Sequence, residues 1–381
     1  MTDDLAVSAN SENSANSETA RPSVDPTRRR FVFLDVFRAI AVCLVVYSHV
    51  VGVWAHQHDD TSGLASALQG FVPHPLALTL NIGDFGVVLF FLVSGFIVTH
   101  TGFTETPRQY ATKRFLRIYP MLLVAVLLAA VLFLVHLHPL TTGDATTVTP
   151  LTVLTNASLA NYLLSPTVVL VDVGWTLVIE VLFYLLLLLA LPLLRRVVWP
   201  VIIGELGLVA VVLATARWAG SSYFLFAVSV SYLPALLLGQ VVWATWSRRV
   251  PLWAGGALAV LAWLEYVWAG MPSLGREDSV YDYNLNLAIG LALFVLALLA
   301  ERRLRPVRVI TYLADRSYSL YLLHGLLAIS VMNLLYGHLG YPAALLCGLA
   351  VTAAGIEAGY RWVERPSMRL ARRLARRWKP G

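Results

Sequence analysis

Ionisable side chains stand inside long apolar runs, among them Asp35, Arg38 and His49 in the first, Glu180 in the fourth and His324 in the ninth. Charge is costly there and by default marks a functional site. A set of histidine, carboxylate and guanidinium suits general acid–base chemistry or a proton relay. At 100° per residue, Arg38 and His49 are about 20° out of phase after three turns, and Asp35 precedes Arg38 by one (i, i+3) step. The three share one helix face, with Arg38 and His49 about 16 Å apart along the axis. The bland alternative is a polar seam in which His49 only packs.

Further groups surround these. Glu180 has Tyr184 one turn on and Trp175 at the outer end of its run. It either neutralises the buried Arg38 or takes part in chemistry. Ser317, Tyr321 and His324 fall at i, i+4 and i+7, again on one face. Hydroxyls in such runs commonly bond back to their own helix, the expectation for Ser317 and Ser319. Ser94-Gly95 lets a neighbouring helix approach closely. Arg114 and Arg117 are (i, i+3) neighbours at the start of the third run. Two guanidiniums on one face suit a phosphate, or they serve topology alone.

The elements that must position these groups are membrane helices. The chain of 381 residues is 58% hydrophobic and only 13% charged, about half the charge of a soluble domain. A soluble enzyme is thereby excluded, and disorder is excluded for most of the length. A span needs roughly 20 apolar residues. About ten such runs are predicted, near 32–54, 81–100, 118–138, 171–194, 197–216, 222–246, 251–270, 284–300, 309–336 and 341–363, an all-α polytopic bundle. Residues 1–29 read as a disordered polar tail, 30–366 as the transmembrane domain and 367–381 as a basic, amphipathic anchoring tail.

Charge placement predicts the orientation. With the N-terminus inside, 23 of the 28 basic residues fall in inner segments and only Arg217 and Arg276 in outer ones. Both termini are therefore expected in the cytoplasm, the protein in the plasma (inner) membrane. The net charge of +6 then reflects a bilayer partner rather than nucleic acid. Cys43 and Cys347 read as small hydrophobes. No metal site is indicated: no HxxxH or HExxH occurs, and His136 and His138 flank a loop. P-loop and nucleophile-elbow motifs are likewise missing from the sequence.

Taken in order, FLDVFRAIAVCLVVYSH with its Arg38-x10-His49, GVVLFFLVSGF, RFLRIYP, WTLVIEVLFYLL, SYSLYLLH and VERP resemble the membrane acyltransferase-3 family over nearly all of 31–366. The resemblance implies transfer of an acyl group, acetyl being the first expectation, from cytoplasmic acyl-CoA to a hydroxyl of a carbohydrate, glycolipid or cell-envelope glycan. It implies that His49 is catalytic, that Arg38 is its motif partner, and that Arg114 and Arg117 serve CoA. Trp175, Tyr184, Ser317, Tyr321 and His324 are expected to support the substrates. The chain reads VIEVLFY where many members read VEEQFY, so a role for a second carboxylate there has no residue to rest on.

Some members carry an extracytoplasmic esterase-like domain, and a separate partner enzyme would have to supply any step needing it. On this reading CoA phosphates stay at the inner face against Arg114 and Arg117, and the pantetheine arm threads towards His49. His49 takes the acceptor proton, oriented by Asp35 or Glu180. Direct transfer is preferred, with an acyl-histidine as competitor. Two other functions fit the residues: acylation of a small hydroxylated metabolite such as a macrolide, and proton-coupled transport or lipid flipping.

Overall fold

The computed structural model describes residues 30–54, 82–137, 147–165, 168–270 and 280–378. Contacts divide the chain into Met1–Phe31 and a large unit, Val32–Gly381. The expectations for the tail 1–29 and for Arg276, His138 and Lys379 lie outside the described residues.

The large unit is a helix bundle. Its elements are α1 (Val32–Tyr47), α2 (Ile82–Gly102), α3 (Pro107–Leu134), the short α4 (Pro150–Ala157), α5 (Trp175–Leu194), α6 (Val198–Ala214) and α7 (Gly220–Val230). They continue with α8 (Leu233–Trp246), α9 (Leu252–Ala269), α10 (Val280–Ala300), α11 (Arg308–His324), α12 (Ser330–Gly359) and α13 (Arg365–Arg377). Among the described residues, three π-helical segments extend them: Ser48–Val53 after α1, Gly325–Ile329 after α11 and Tyr360–Glu364 after α12.

Among the described residues, seven helical stretches are long and apolar enough to cross a membrane. The ten predicted runs are redistributed. α6 and the apolar part of α10 are shorter, 10–17 residues each. The run at 222–246 breaks at Ser231–Tyr232 into α7 and α8, with Pro234 at the start of α8. Pro favours the first helical turn because its missing N–H is not needed there. The last two runs and the basic tail join in one helical stretch, Arg308–Arg377. Gly340 (φ 71°) kinks it, a backbone angle that L side chains resist, and Pro342 follows.

α2 is the central element, in contact with α1, α8, α10 and α5. A Cβ at Gly95 would strike the Leu236 carbonyl, and one at Gly239 would strike that of Leu92. The close approach expected at Ser94-Gly95 therefore exists, backbone against backbone on α8. Phe33, Phe96 and Phe294 join α1, α2 and α10 edge to face at 5.2–5.9 Å.

The carboxylate of Glu301 accepts from the backbone N–H groups of Val32 (3.0 Å) and Phe33 (2.9 Å), filling orphan donors at the start of α1. α3 begins earlier than predicted. Thr106 and Gln109 form a capping box, and Pro107 follows the cap. Arg114 and Arg117 thus stand on a formed helix. Cys43, read as a small hydrophobe, is exposed on the apolar helix α1.

The turns joining α2 to α3 and α5 to α6 meet at one end of the bundle. Arg195 donates to the carbonyls of Gly102 (3.0 Å) and Glu105. From the α8–α9 turn, the Arg249 guanidinium lies 3.8 Å over the Phe103 ring. We call this the basic end. At the far end, Val50, Trp54, Ile329, Met332 and Tyr341 form a buried apolar cluster. Trp54 there donates its indole N–H to Asn333 (2.7 Å).

Candidate active site

A cavity of about 290 Å³ opens among α1, α2, α3, α5, α11 and α13. Arg38, Arg114, Arg117, Glu180, Tyr184, Ser317 and Tyr321 line it, so seven side chains picked out from sequence face one space. The carboxylate of Glu180 accepts from Ser94 Oγ (3.0 Å) and from the Tyr184 hydroxyl. It lies within electrostatic reach of both Arg38 and Arg117. One carboxylate thus helps balance two guanidiniums in a water-poor setting. Arg114 donates to Thr101 Oγ1 (2.5 Å) and sits near the rings of Tyr110 (5.3 Å) and Tyr184 (5.6 Å). Such a guanidinium keeps its planar fork oriented for an anion.

Lys113 and Glu105 also line this cavity, and Lys113 Nζ lies 2.6 Å from the Glu105 carboxylate. Beside it, Glu364 accepts from Ser319 Oγ (2.6 Å) and Ser319 N–H (3.3 Å), and its charge reaches Arg117 and Arg38. Sequence reasoning did not select Glu105, Lys113 or Glu364. The only signal for Glu364 was its place in VERP.

His49 does not line that cavity. It faces a second, tight space of about 20 Å³ with His324, Asp172 and Val173, room for about one water-sized group. Its position is set by an α-to-π junction. α1 is α-helical to Tyr47, the π segment begins at Ser48, and His49 is its second residue. His324 is the last residue of α11, directly before another π segment. Such segments occur often at functional sites.

The two rings meet across α1 and α11, with His324 Nε2 3.2 Å from His49 Nδ1. His324 Nδ1 faces the carbonyls of Tyr321 (2.8 Å) and Leu320 (3.1 Å). Carbonyls only accept, so Nδ1 carries the proton and the neutral ring presents Nε2 as an acceptor. His49 Nδ1 faces two acceptors, this Nε2 and the Val45 carbonyl (2.9 Å), so it too carries its proton. Neutral His49 is left with an unprotonated Nε2, the form a general base needs.

Tyr321 lines the larger space and bonds Val173, which lines the smaller. Its hydroxyl lies 2.7 Å from Thr176 Oγ1 and 3.1 Å from the Val173 carbonyl, and its ring is 6.3 Å from that of His324. The segment that supplies Val173 and Asp172 is held from α4 onward. Asn156 bonds the Val168 carbonyl (3.0 Å) and the Leu170 N–H (2.9 Å), and Tyr162 donates to the Val171 carbonyl (2.5 Å).

The remaining predicted residues fall as follows. Asp35 is buried near Arg38 and lines neither space. Glu180 lines only the larger one, and the carboxylate bordering the histidine space is Asp172. Ser317 donates to its own helix at Ala314 (3.0 Å), as expected, whereas the Ser319 hydroxyl, expected to do the same, donates to Glu364. Trp175 packs its ring 5.1 Å from that of Tyr232 and borders neither space.

A bundle with a cationic cavity at one end and a base-competent histidine beyond it defines a class, the membrane group-transfer enzymes. Residues 31–357 match the sequence profile of the acyltransferase-3 family, described as an acyltransferase domain. The chain belongs to that family and is a multi-pass membrane acyltransferase, which implies an acyl donor. It is similar to nodulation protein 10 of Rhizobium leguminosarum bv. viciae, 26% identical over 90% of this chain and 95% of that one. It is also similar to the exopolysaccharide production protein ExoZ of Rhizobium meliloti, 31% identical over 77% of this chain and 92% of the relative. No solved structure matches the chain with significance.

Proposed function

We propose that the protein is an integral membrane O-acyltransferase that moves an acyl group, acetyl in the first instance, from cytoplasmic acyl-CoA to a hydroxyl of a carbohydrate, glycolipid or envelope glycan. The observation that carries this reading is the paired imidazoles. They leave His49 Nε2 unprotonated, His49 borders a hydroxyl-sized space, and Tyr321 of the arginine-lined cavity bonds the Val173 carbonyl of that smaller space. A carbohydrate acceptor is supported by the relative named for exopolysaccharide production.

On this proposal the basic end faces the cytoplasm, in keeping with the excess of arginine there. Both termini are cytoplasmic, and residues 30–366 carry the transfer. The donor's phosphates remain against Arg114 and Arg117, because anions do not enter hydrocarbon cheaply. The uncharged arm runs along the cavity past Arg38 and Glu180 towards Tyr321. His49 Nε2 takes the proton of the acceptor hydroxyl as its oxygen bonds the thioester carbonyl carbon. The C–S bond then breaks, and the thiolate leaves with the proton returned from the imidazolium. His324 Nε2 and the Val45 carbonyl both accept from His49 Nδ1–H, so they stabilise the cation while it exists.

The test uses membranes, radiolabelled acetyl-CoA, and polysaccharide and glycolipid extracts. Label enters the glycan fraction with wild type and not with His49→Ala at equal protein level. Near-normal incorporation by the variant overturns the assignment. Mass spectrometry of extracted glycans and metabolites, with and without the protein, identifies the acceptor by the loss of one acyl mass.

A further inference from the structure

The basic C-terminal helix reads from sequence as a membrane anchor, in which its arginines would be equivalent. The structure separates them. α13 carries Arg365, Arg369, Arg372, Arg373, Arg376 and Arg377. Its small residues Ala371 and Ala375 are buried (0% and 5% exposed), and α13 packs along α3. Gln109 Nε2, on the first turn of α3, donates to the Ala375 carbonyl (2.8 Å) and fixes the register. This docking turns Met368, Ala371 and Arg372 into the cavity lining, which they share with Lys113, Arg114 and Arg117. The other five arginines of α13 do not line it.

The charges at this opening are unequally matched. Glu105 pairs with Lys113 (2.6 Å) and approaches Arg114 (3.8 Å). Arg372 is exposed, and among the described residues it makes no salt bridge. Cations from two helices therefore flank one opening, and the one on α13 has no carboxylate of its own. An anion carrying more than one phosphate group is the chemistry that satisfies such a rim.

We infer that α13 is a wall of the donor site and that Arg372 binds a phosphate of the donor's nucleotide portion, in the cavity that Arg114 also lines. This rests on the proposal that the donor is an acyl-CoA. The binding end is then assembled from segments more than 250 residues apart in sequence, and the tail helix belongs to the enzyme's site as well as to its membrane surface.

The experiment measures equilibrium binding of CoA and of pantetheine to the purified full chain in detergent, for wild type, Arg372→Ala and Arg373→Ala. Arg373 is the control, an exposed neighbour on the same helix outside the cavity. Arg372→Ala is expected to weaken CoA binding about five- to tenfold, the size of one charge-assisted contact to phosphate. Arg373→Ala should stay within about twofold, as exposed charges do. Pantetheine, which lacks the nucleotide phosphates, should bind all three proteins alike. Equal CoA affinity for wild type and Arg372→Ala overturns the inference while leaving the donor reading in place. So does equal weakening by both variants, which marks a diffuse field. If wild type binds CoA no better than pantetheine, the acyl-CoA reading itself fails, and the role of Arg372 with it.

Discussion

The two spaces of this protein contrast in size, charge and construction. The larger, about 290 Å³, is ringed by guanidiniums that are held loosely by carboxylates and aromatic faces. The smaller, about 20 Å³, is built from two imidazoles, a carbonyl-rich loop and a carboxylate. The first can grip a polyanion by charge from several directions. The second fixes one nitrogen by hydrogen bonds and has room for a single small group. On the proposed function, affinity for the donor and reactivity towards the acceptor fall to different side chains, and mutations should separate them.

The sharpest separation is expected from His324. Replacing it by Ala removes the acceptor that faces His49 Nδ1 and should lower kcat about 100-fold, within the usual range for acid–base assistance, while the KM for donor changes little. Steady-state kinetics checks this; a loss confined to KM would merge the two spaces into one function. The opposite pattern is expected from Arg114→Ala combined with Arg117→Ala. The KM for donor should rise about tenfold or more, with a smaller fall in kcat. An unchanged KM would leave those arginines to topology alone. Tyr321→Phe should give the smallest effect. It removes one hydroxyl from the cluster with Thr176 and Val173, at about 1 kcal/mol, and so should change kcat about fivefold. A larger loss would place the Tyr321 hydroxyl in contact with the reacting atoms.

What the sequence made legible follows from local periodicity. Arg114 and Arg117 are one helical turn apart, and the capping box and Pro107 confirm the helix beneath them. Glu180 and Tyr184, also one turn apart, do bond to each other. His49 was legible as an ionisable residue in an apolar run, but its partner was not. His324 lies 275 residues away, and no spacing rule joins them. The predicted shared face of Arg38 and His49 assumed an unbroken α-helix. A π segment begins at Ser48, one residue before His49, and Arg38 and His49, separated along the axis, border different spaces.

Asp172, Val173 and Thr176 were unreadable for another reason. Their positions depend on Asn156, Asn161 and Tyr162 gripping backbone, contacts that leave no hydrophobic pattern. The basic tail had a clear composition, yet composition could not say that two alanines and one glutamine would dock it on α3.

The glycine contact between α2 and α8 bears on how an acyl group gets past Tyr321. With Gly95 and Gly239 pressed backbone to backbone, α2 and α8 have no side chains at the crossing that could rearrange to let them part. They form a fixed jaw that carries Ser94 and Thr101. Tyr321 and His324 ride on α11, which ends in a π segment and continues into a helix kinked at Gly340. That is the hinged jaw. Tyr321 and the imidazole partner of His49 therefore share one helix, while His49 itself sits on the segment that follows α1.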